Sequence, residues 1–294
     1  MSTETPLFFS SASRVARRWV PRNRGTVFAA VILLMIAIPC ILAPIIAPYN
    51  PSAQPNIIEH SQPPSGAHPF GTDPLSRDVL SRLLYGGRLS LSVAVFATIV
   101  SMTLGTAYGA AAGYSRGLAG AVLERLLDAL LSIPRLLLLI AIFALWEEKI
   151  ETNGFVVMLG LTGWYGVARL VRGQVLALRA QDFIASARAL GATPWRIFLQ
   201  HVLPNVLTPV VVAATLGIGH VIILEAGLSY LGIGLDPPTP SWGNMIQEGS
   251  GTTELRTTWW LSLFPGLAIV LTVMAFNVLG EALLRALQPR QQTS

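Results

Sequence analysis

RAQDFIASARALGATPWRIFLQHVLP, residues 179–204, is the stretch on which the reading of the chain turns. It is a polar, arginine-bearing interruption between two long apolar segments, so it lies outside any bilayer those segments cross. Asp182 can cap a short helix through Leu190, and Gly191 can end it in a left-handed turn. Thr193 and Pro194 read as the N-cap and first residue of a second helix, which Pro204 stops. Ala185, Ser186, Ala187 and Ala189 are all small, so another backbone could approach the first helix closely. A capped helix–turn–helix between two spans has the form of a plug for a soluble partner.

Working outward, composition sets the class. The 294 residues are 52% hydrophobic and only 12% charged, with mean hydropathy +0.58. That balance is a polytopic membrane domain, not a soluble one. The net charge of +5 and pI near 9.9 do not argue for nucleic acid, because the arginines flank apolar runs. Cys40 is the only cysteine and lies within a span, so no intramolecular disulfide can form.

Residues 1–25 read as a basic N-terminal segment, and 26–48 as a first transmembrane helix with Pro39 and Pro44 as kink points. This run is longer than the apolar core of a cleaved signal peptide, about 7–15 residues, so it reads as a retained anchor. Residues 49–88 form an outer loop. In it Asp73 caps, Pro74 starts and Gly86-Gly87 ends an amphipathic helix with Arg77, Asp78, Ser81 and Arg82 on its polar face. It would rest on the membrane interface or dock an external protein.

Residues 89–284 form a core of five further spans, about 89–113, 122–146, 154–171, 205–231 and 259–283, ahead of a tail at 285–294. Ser101, Gly105, Gly109 and Gly113 recur every four residues, a stripe against which a second helix can pack. Gly160, Gly163 and Gly166 offer another. The acidic turn Glu147–Glu151 separates the third and fourth spans, and the Pro- and Gly-rich 232–258 segment reads as a turn-rich surface loop. The fold class is therefore all-α, with six transmembrane helices and both termini on one side. Arginines concentrate on the side of the 179–204 loop, which the positive-inside rule makes cytoplasmic.

Catalytic chemistry finds no support. A phosphate-binding loop needs Gly-Lys-Ser/Thr, and the only lysine is Lys149 in WEEKIE. The four histidines lack metal-ligand spacing, and GLSYLG at Ser229 is one residue too long for a nucleophile elbow. Ionisable residues within spans remain. Asp128, Ser132 and Arg135 are spaced by four and three, so they share one face of the third helix. They read either as a helix–helix polar contact or as a pathway-lining stripe. Glu225 is placed near the outer surface, and His220 as an interhelical hydrogen-bonder.

The 179–204 stretch resembles the cytoplasmic coupling loop of ABC importer permeases. Ala185-Ser186-Ala187, Gly191, His201 and Leu203-Pro204 fall at that motif's spacing, although Ala185 stands where relatives carry Glu. FGTDPLSRDVL (residues 70–80), EAGLSYLGIGLDPPTPSWGNMI (residues 225–246) and LFPGLAIVLTVMAFNVLGEAL (residues 263–283) extend the likeness. It is similar to the C-type subunits of dipeptide and oligopeptide importers.

The resemblance implies the type I permease fold and a bacterial or archaeal plasma membrane. It implies a homologous second permease subunit, two ATP-binding subunits or domains and an external solute-binding protein, with ATP and Mg held by the partners. It also implies that Asp182, Ala185, Ser186, Ala187, Arg188, Gly191 and Pro194 meet the ATPase. The function expected is peptide import, with nickel-chelate or another peptide-like solute as alternative cargo. An ion-coupled secondary carrier is the other class, and it would need mid-membrane carboxylates and an internal repeat.

Overall fold

The computed structural model describes residues 24–53, 60–145, 151–235, 238–251 and 257–287. The basic N-terminal arginines before Arg24, most of the acidic turn at 147–151 and the tail beyond Leu287 lie outside them. Among the described residues every regular element is a helix, and an isolated bridge joins Thr72 to Asp78.

The helices are α1 (Arg24–Ile41), α2 (Ala43–Ile46), α3 (Val79–Tyr114), α4 (Gly117–Leu131), α5 (Arg135–Ala144) and α6 (Thr152–Arg179). After these come α7 (Asp182–Ala189), α8 (Pro194–Ile197), a π-turn at Phe198–Val202, α9 (Leu203–Tyr230), α10 (Trp242–Glu248) and α11 (Trp260–Leu287). Five stretches are long and apolar enough to cross a membrane: α1, α3, α6, the continuous run from α8 through α9, and α11. The pair α4–α5, bent by 77°, makes a sixth if it is one span. Its traverse follows from its neighbours. Arg179, the last residue of α6, bonds the carbonyls of Gly113 and Tyr114 at the end of α3. Thr152, at the start of this 28-residue helix, is about 40 Å away at 1.5 Å per residue. The α4–α5 pair must therefore carry the chain from one end of the bundle to the other.

The central contact is α3 on α6, and the small-residue stripe makes it. A Cβ on Gly109 would stand 2.8 Å from Val171 Cβ, and one on Gly113 would stand as close to Val175 Cβ. Ser101 donates to the Gly160 carbonyl at 2.9 Å. Gly160 and Gly163 sit on close-packed faces as expected, whereas Gly166 faces open space.

Three helix boundaries differ from expectation. Asp78, not Asp73, caps the helix after the first loop, accepting from Ser81 N at 2.8 Å. That helix then runs through Gly86-Gly87 without a break, so it is the first turns of α3 and not a separate amphipathic helix. The two glycines instead leave room for neighbours: Ser241 packs on Gly86, and Trp242 and Cys40 on Gly87. Pro204 likewise stops nothing. The Leu203 N–H reaches back to the Phe198 carbonyl in a π-type bond, and this wider turn absorbs the proline at the start of α9. Residues 232–258 are not only surface. α10 is tucked into the bundle with Trp242 wholly buried, its indole donating to the Leu83 carbonyl at 3.1 Å.

Candidate functional site

The 179–204 stretch is built on a local apolar base. Ile184 from α7 and Ile197 from α8 are buried with Val171, Val175, Val202 and Val206. Two further ties fix it to α3. The Tyr114 hydroxyl donates to the Pro194 carbonyl at 3.3 Å, and the Arg179 guanidinium lies 5.4 Å from the Tyr114 ring centre. Arg179 and Tyr114 were not singled out as site residues. The arginine at the apolar–polar boundary was the available signal, but its partner's position depends on packing.

The turn between α7 and α8 has the expected form. Gly191 has φ +83°, its N–H reaches the Arg188 carbonyl at 2.9 Å, and the Ala192 N–H reaches the Ala187 carbonyl at 3.1 Å. This is a Schellman closure. Thr193 caps α8 by accepting from Arg196 N at 3.3 Å, with Pro194 first in the helix. Asp182 is the first helical residue; Gln181 occupies the cap position and makes no side-chain cap bond. Asp182 still sits where a negative charge favours the helix dipole.

Around this turn Asp182, Ala185, Ser186, Arg188, Gly191 and Pro194 are exposed and Ala187 is half-buried. Phe183, Leu190 and Trp195 are exposed beside them, Leu190 at 88% and Trp195 at 68%. The double turn thus presents small residues, two arginines (Arg188 and Arg196) and three large apolar side chains on an apolar base. Next to it, Met102, Thr106, Tyr114, Trp195, Phe198 and Leu207 line an apolar groove of about 790 Å³.

The other predicted set is split. The chain bends between Leu131 and Arg135, so Asp128, Ser132 and Arg135 do not share a helix face. Pro134 disfavours helical backbone at Ile133, and the shared stripe is lost. Asp128 is exposed and pairs with Arg169 of α6, as Glu124 pairs with Arg172 at 2.7 Å. The Ser132 hydroxyl donates to the Ala129 carbonyl at 2.7 Å. Arg135 alone turns inward, donating to the Leu159 carbonyl at 2.7 Å and to Thr162 Oγ1 at 3.3 Å. It borders a second cavity of about 290 Å³.

Polar residues at the opposite end of the bundle depart furthest from expectation. Glu225 is 1% exposed, accepting from Ser90 and Ser229 at 3.0 Å each, so near the outer end of α9 it is a tie to α3 buried within the bundle. His220 bonds within its own helix, its Nδ1 lying 3.1 Å from the Leu216 carbonyl. Arg77, Asp78, Ser81 and Arg82 are buried instead of facing outward. Asp73 accepts from Arg77 Nε at 2.6 Å and from Arg82, and Arg82 also reaches Glu248 of α10 at 2.9 Å. An isolated charge in such a place is costly, and this mutual pairing is what permits the burial. Among the described residues no three His, Cys, Asp or Glu side chains converge on a metal position.

Residues 83–293 match the family described as "binding-protein-dependent transport system inner membrane component". Residues 12–64 match the "N-terminal TM domain of oligopeptide transport permease C". A dipeptide transport system permease protein of Bacillus subtilis is 37% identical over 280 residues, 95% of this chain and 86% of the relative. A glutathione transport system permease protein of Pectobacterium atrosepticum is 38% identical over 274 residues, 93% and 89% of the two chains. A putative peptide permease protein of Brucella suis is 35% identical over 292 residues, 99% and 95%.

Proposed function

Because this chain belongs to the family of inner-membrane components of binding-protein-dependent transport systems, we propose that it is the C-type permease subunit of an ATP-driven importer of di- and oligopeptides. The single observation that carries the mechanism is the anchored double turn at 182–197. Ile184 and Ile197 root it in the bundle, while Phe183, Leu190 and Trp195 project from it. A force applied to those side chains reaches α6 and α9 through a fixed base, not through a slack loop. Residues 182, 185–188, 191 and 194 are the proposed contact with an ATPase subunit.

In this reading ATP and Mg are bound by two ATPase partners, since WEEKIE offers no phosphate-binding lysine loop. A second, homologous permease completes the pathway, and an external binding protein delivers the peptide. Closure of the ATPases moves the coupling turns together and opens the pathway to the opposite side. The 179–204 loop and both termini are cytoplasmic.

Crosslinking tests the reading. Single cysteines at positions 185–193 of the assembled complex should capture an ATPase subunit, with yields that change on adding nucleotide. Absence of capture from every position in a complex active in peptide uptake would defeat the coupling role.

A further inference from the structure

Resting on the peptide reading above, we propose that the cavity beside Arg135 binds the terminal carboxylate of a peptide in transit. Thr98 and Ser101 of α3, Arg135 of α5, Gly163 of α6 and His220 of α9 border it, so four crossing elements converge there. His220 lies about 15 Å along α9 from its Tyr230 end, on an exposed face of the helix where the cavity opens.

Arg135 carries the argument. Its two bonds, to the Leu159 carbonyl and to Thr162, use two of the five guanidinium N–H groups and leave three. Among the described residues every ion pair uses another cation, so this charge has no carboxylate of its own. A cation held inside a span without a counter-charge is costly and marks a ligand path. Gly163 keeps it there: a Cβ at that position would stand 3.0 Å from Arg135 Nη2.

A second polar group is independent of the arginine. Thr98 is 3% exposed, and its Oγ1 has no hydrogen-bond partner, although a helical threonine can ordinarily use the carbonyl four residues back. An orphan hydroxyl on a cavity wall is satisfied by what enters the cavity. His220 contributes a ring whose Nδ1 is occupied by Leu216, leaving Nε2 as its other polar atom.

The ligand class follows from these groups. A planar guanidinium with free N–H donors matches a carboxylate in two parallel bonds. Val167, Leu170 and Val221 form an apolar wall on one side, which lowers the local dielectric and strengthens the attraction. At about 290 Å³ the cavity lies at the lower limit of small-molecule sites, room for the end of a peptide and not its length. The terminal carboxylate is common to every linear peptide, so the site gives each cargo the same handle whatever its side chains.

The test uses the complete complex, with its ATPases and binding protein, in proteoliposomes. ATP-driven uptake of alanyl-alanine is compared with that of alanyl-alaninamide, which lacks the carboxylate. Arg135→Gln should lower the acid-to-amide uptake ratio about tenfold, the scale of one lost charged hydrogen bond. Arg135→Lys should fall between, since it keeps the charge without the fork. Thr98→Val should lower the ratio less, and it serves where the arginine variant fails to assemble. An unchanged ratio in variants that assemble, whether or not total uptake falls, would overturn the proposal in favour of a packing role.

A wild-type complex that takes up neither probe would remove the peptide reading instead. The carboxylate site is then decided by phenylglyoxal labelling of the solubilised wild-type complex, mapped at Arg135. Slower modification with alanyl-alanine than with its amide supports the site, and equal rates overturn it.

Discussion

Gly191 is the residue on which the orientation of the coupling turn depends. At φ +83° it occupies backbone space that a β-branched residue enters only under strain. No heavy atom lies within 4 Å of a Cβ built there, so the penalty is conformational and not steric crowding by neighbours. Gly191→Val is therefore expected to leave the bundle inserted, because the apolar base under α7 and α8 is untouched. The turn itself should change course, shifting Leu190 relative to Trp195. Uptake should fall about tenfold or more, while detergent melting of the complex moves by no more than the 1–3 kcal/mol typical of one strained residue. Parallel measurement of peptide uptake, ATPase rate and melting checks this. Normal coupled uptake would show that the turn's geometry is not what the ATPase reads.

The stripe between α3 and α6 sets the spacing of the bundle's central pair, and two glycines test it in opposite directions. Gly109→Ala puts a methyl group against the Ala168 backbone and Val171, so it should destabilise the complex by about 1–3 kcal/mol. Gly173→Ala, on α6 with nothing within 4 Å, should instead gain up to about 1 kcal/mol from helix propensity. Opposite shifts in detergent melting temperature are expected, and shifts of equal sign would refute the close-approach account. This stripe was legible because a four-residue period of small side chains has one physical meaning in a membrane helix.

The boundaries misread from the sequence had local signals that tertiary contacts overrode. Gly86-Gly87 resembles a helix stop until Trp242 and Cys40 are seen to need the space, and Pro204 resembles one until the π-turn absorbs it. The buried pairing of Asp73 with Arg77 and Arg82 was hidden for a related reason. Charges four residues apart at a helix start read as a solvated face, and only the distant Glu248 shows that face to be interior. Asp128 and Arg135 were joined by periodicity across a proline that separates them.

For the whole molecule, the fold leaves one global choice, which end of the bundle faces the cytoplasm. Arg24, Arg116, Arg125, Arg169, Arg172, Arg179, Arg188, Arg196 and Arg285 lie toward the end that carries α7 and α8, against Arg77, Arg82 and Arg88 at the other among the described residues. Several at each end are paired with carboxylates, yet the pairing does not cancel the bias. Orientation is set by lysine and arginine during insertion, and acidic residues contribute little. A connection that crosses as α4–α5 makes the number of crossings even, so α1 begins and α11 ends on the same side. Labelling with a membrane-impermeant thiol reagent checks both inferences at once. In a Cys40→Ala background, a cysteine at Ser52, exposed beyond α2, should react in intact cells or spheroplasts. A cysteine at Ser294 should react only after lysis. The reverse pattern would place the anchored turn of α7 and α8 outside, where no ATPase could reach it. Labelling of both sites in intact cells would instead break the even count and contradict the traverse assigned to α4–α5.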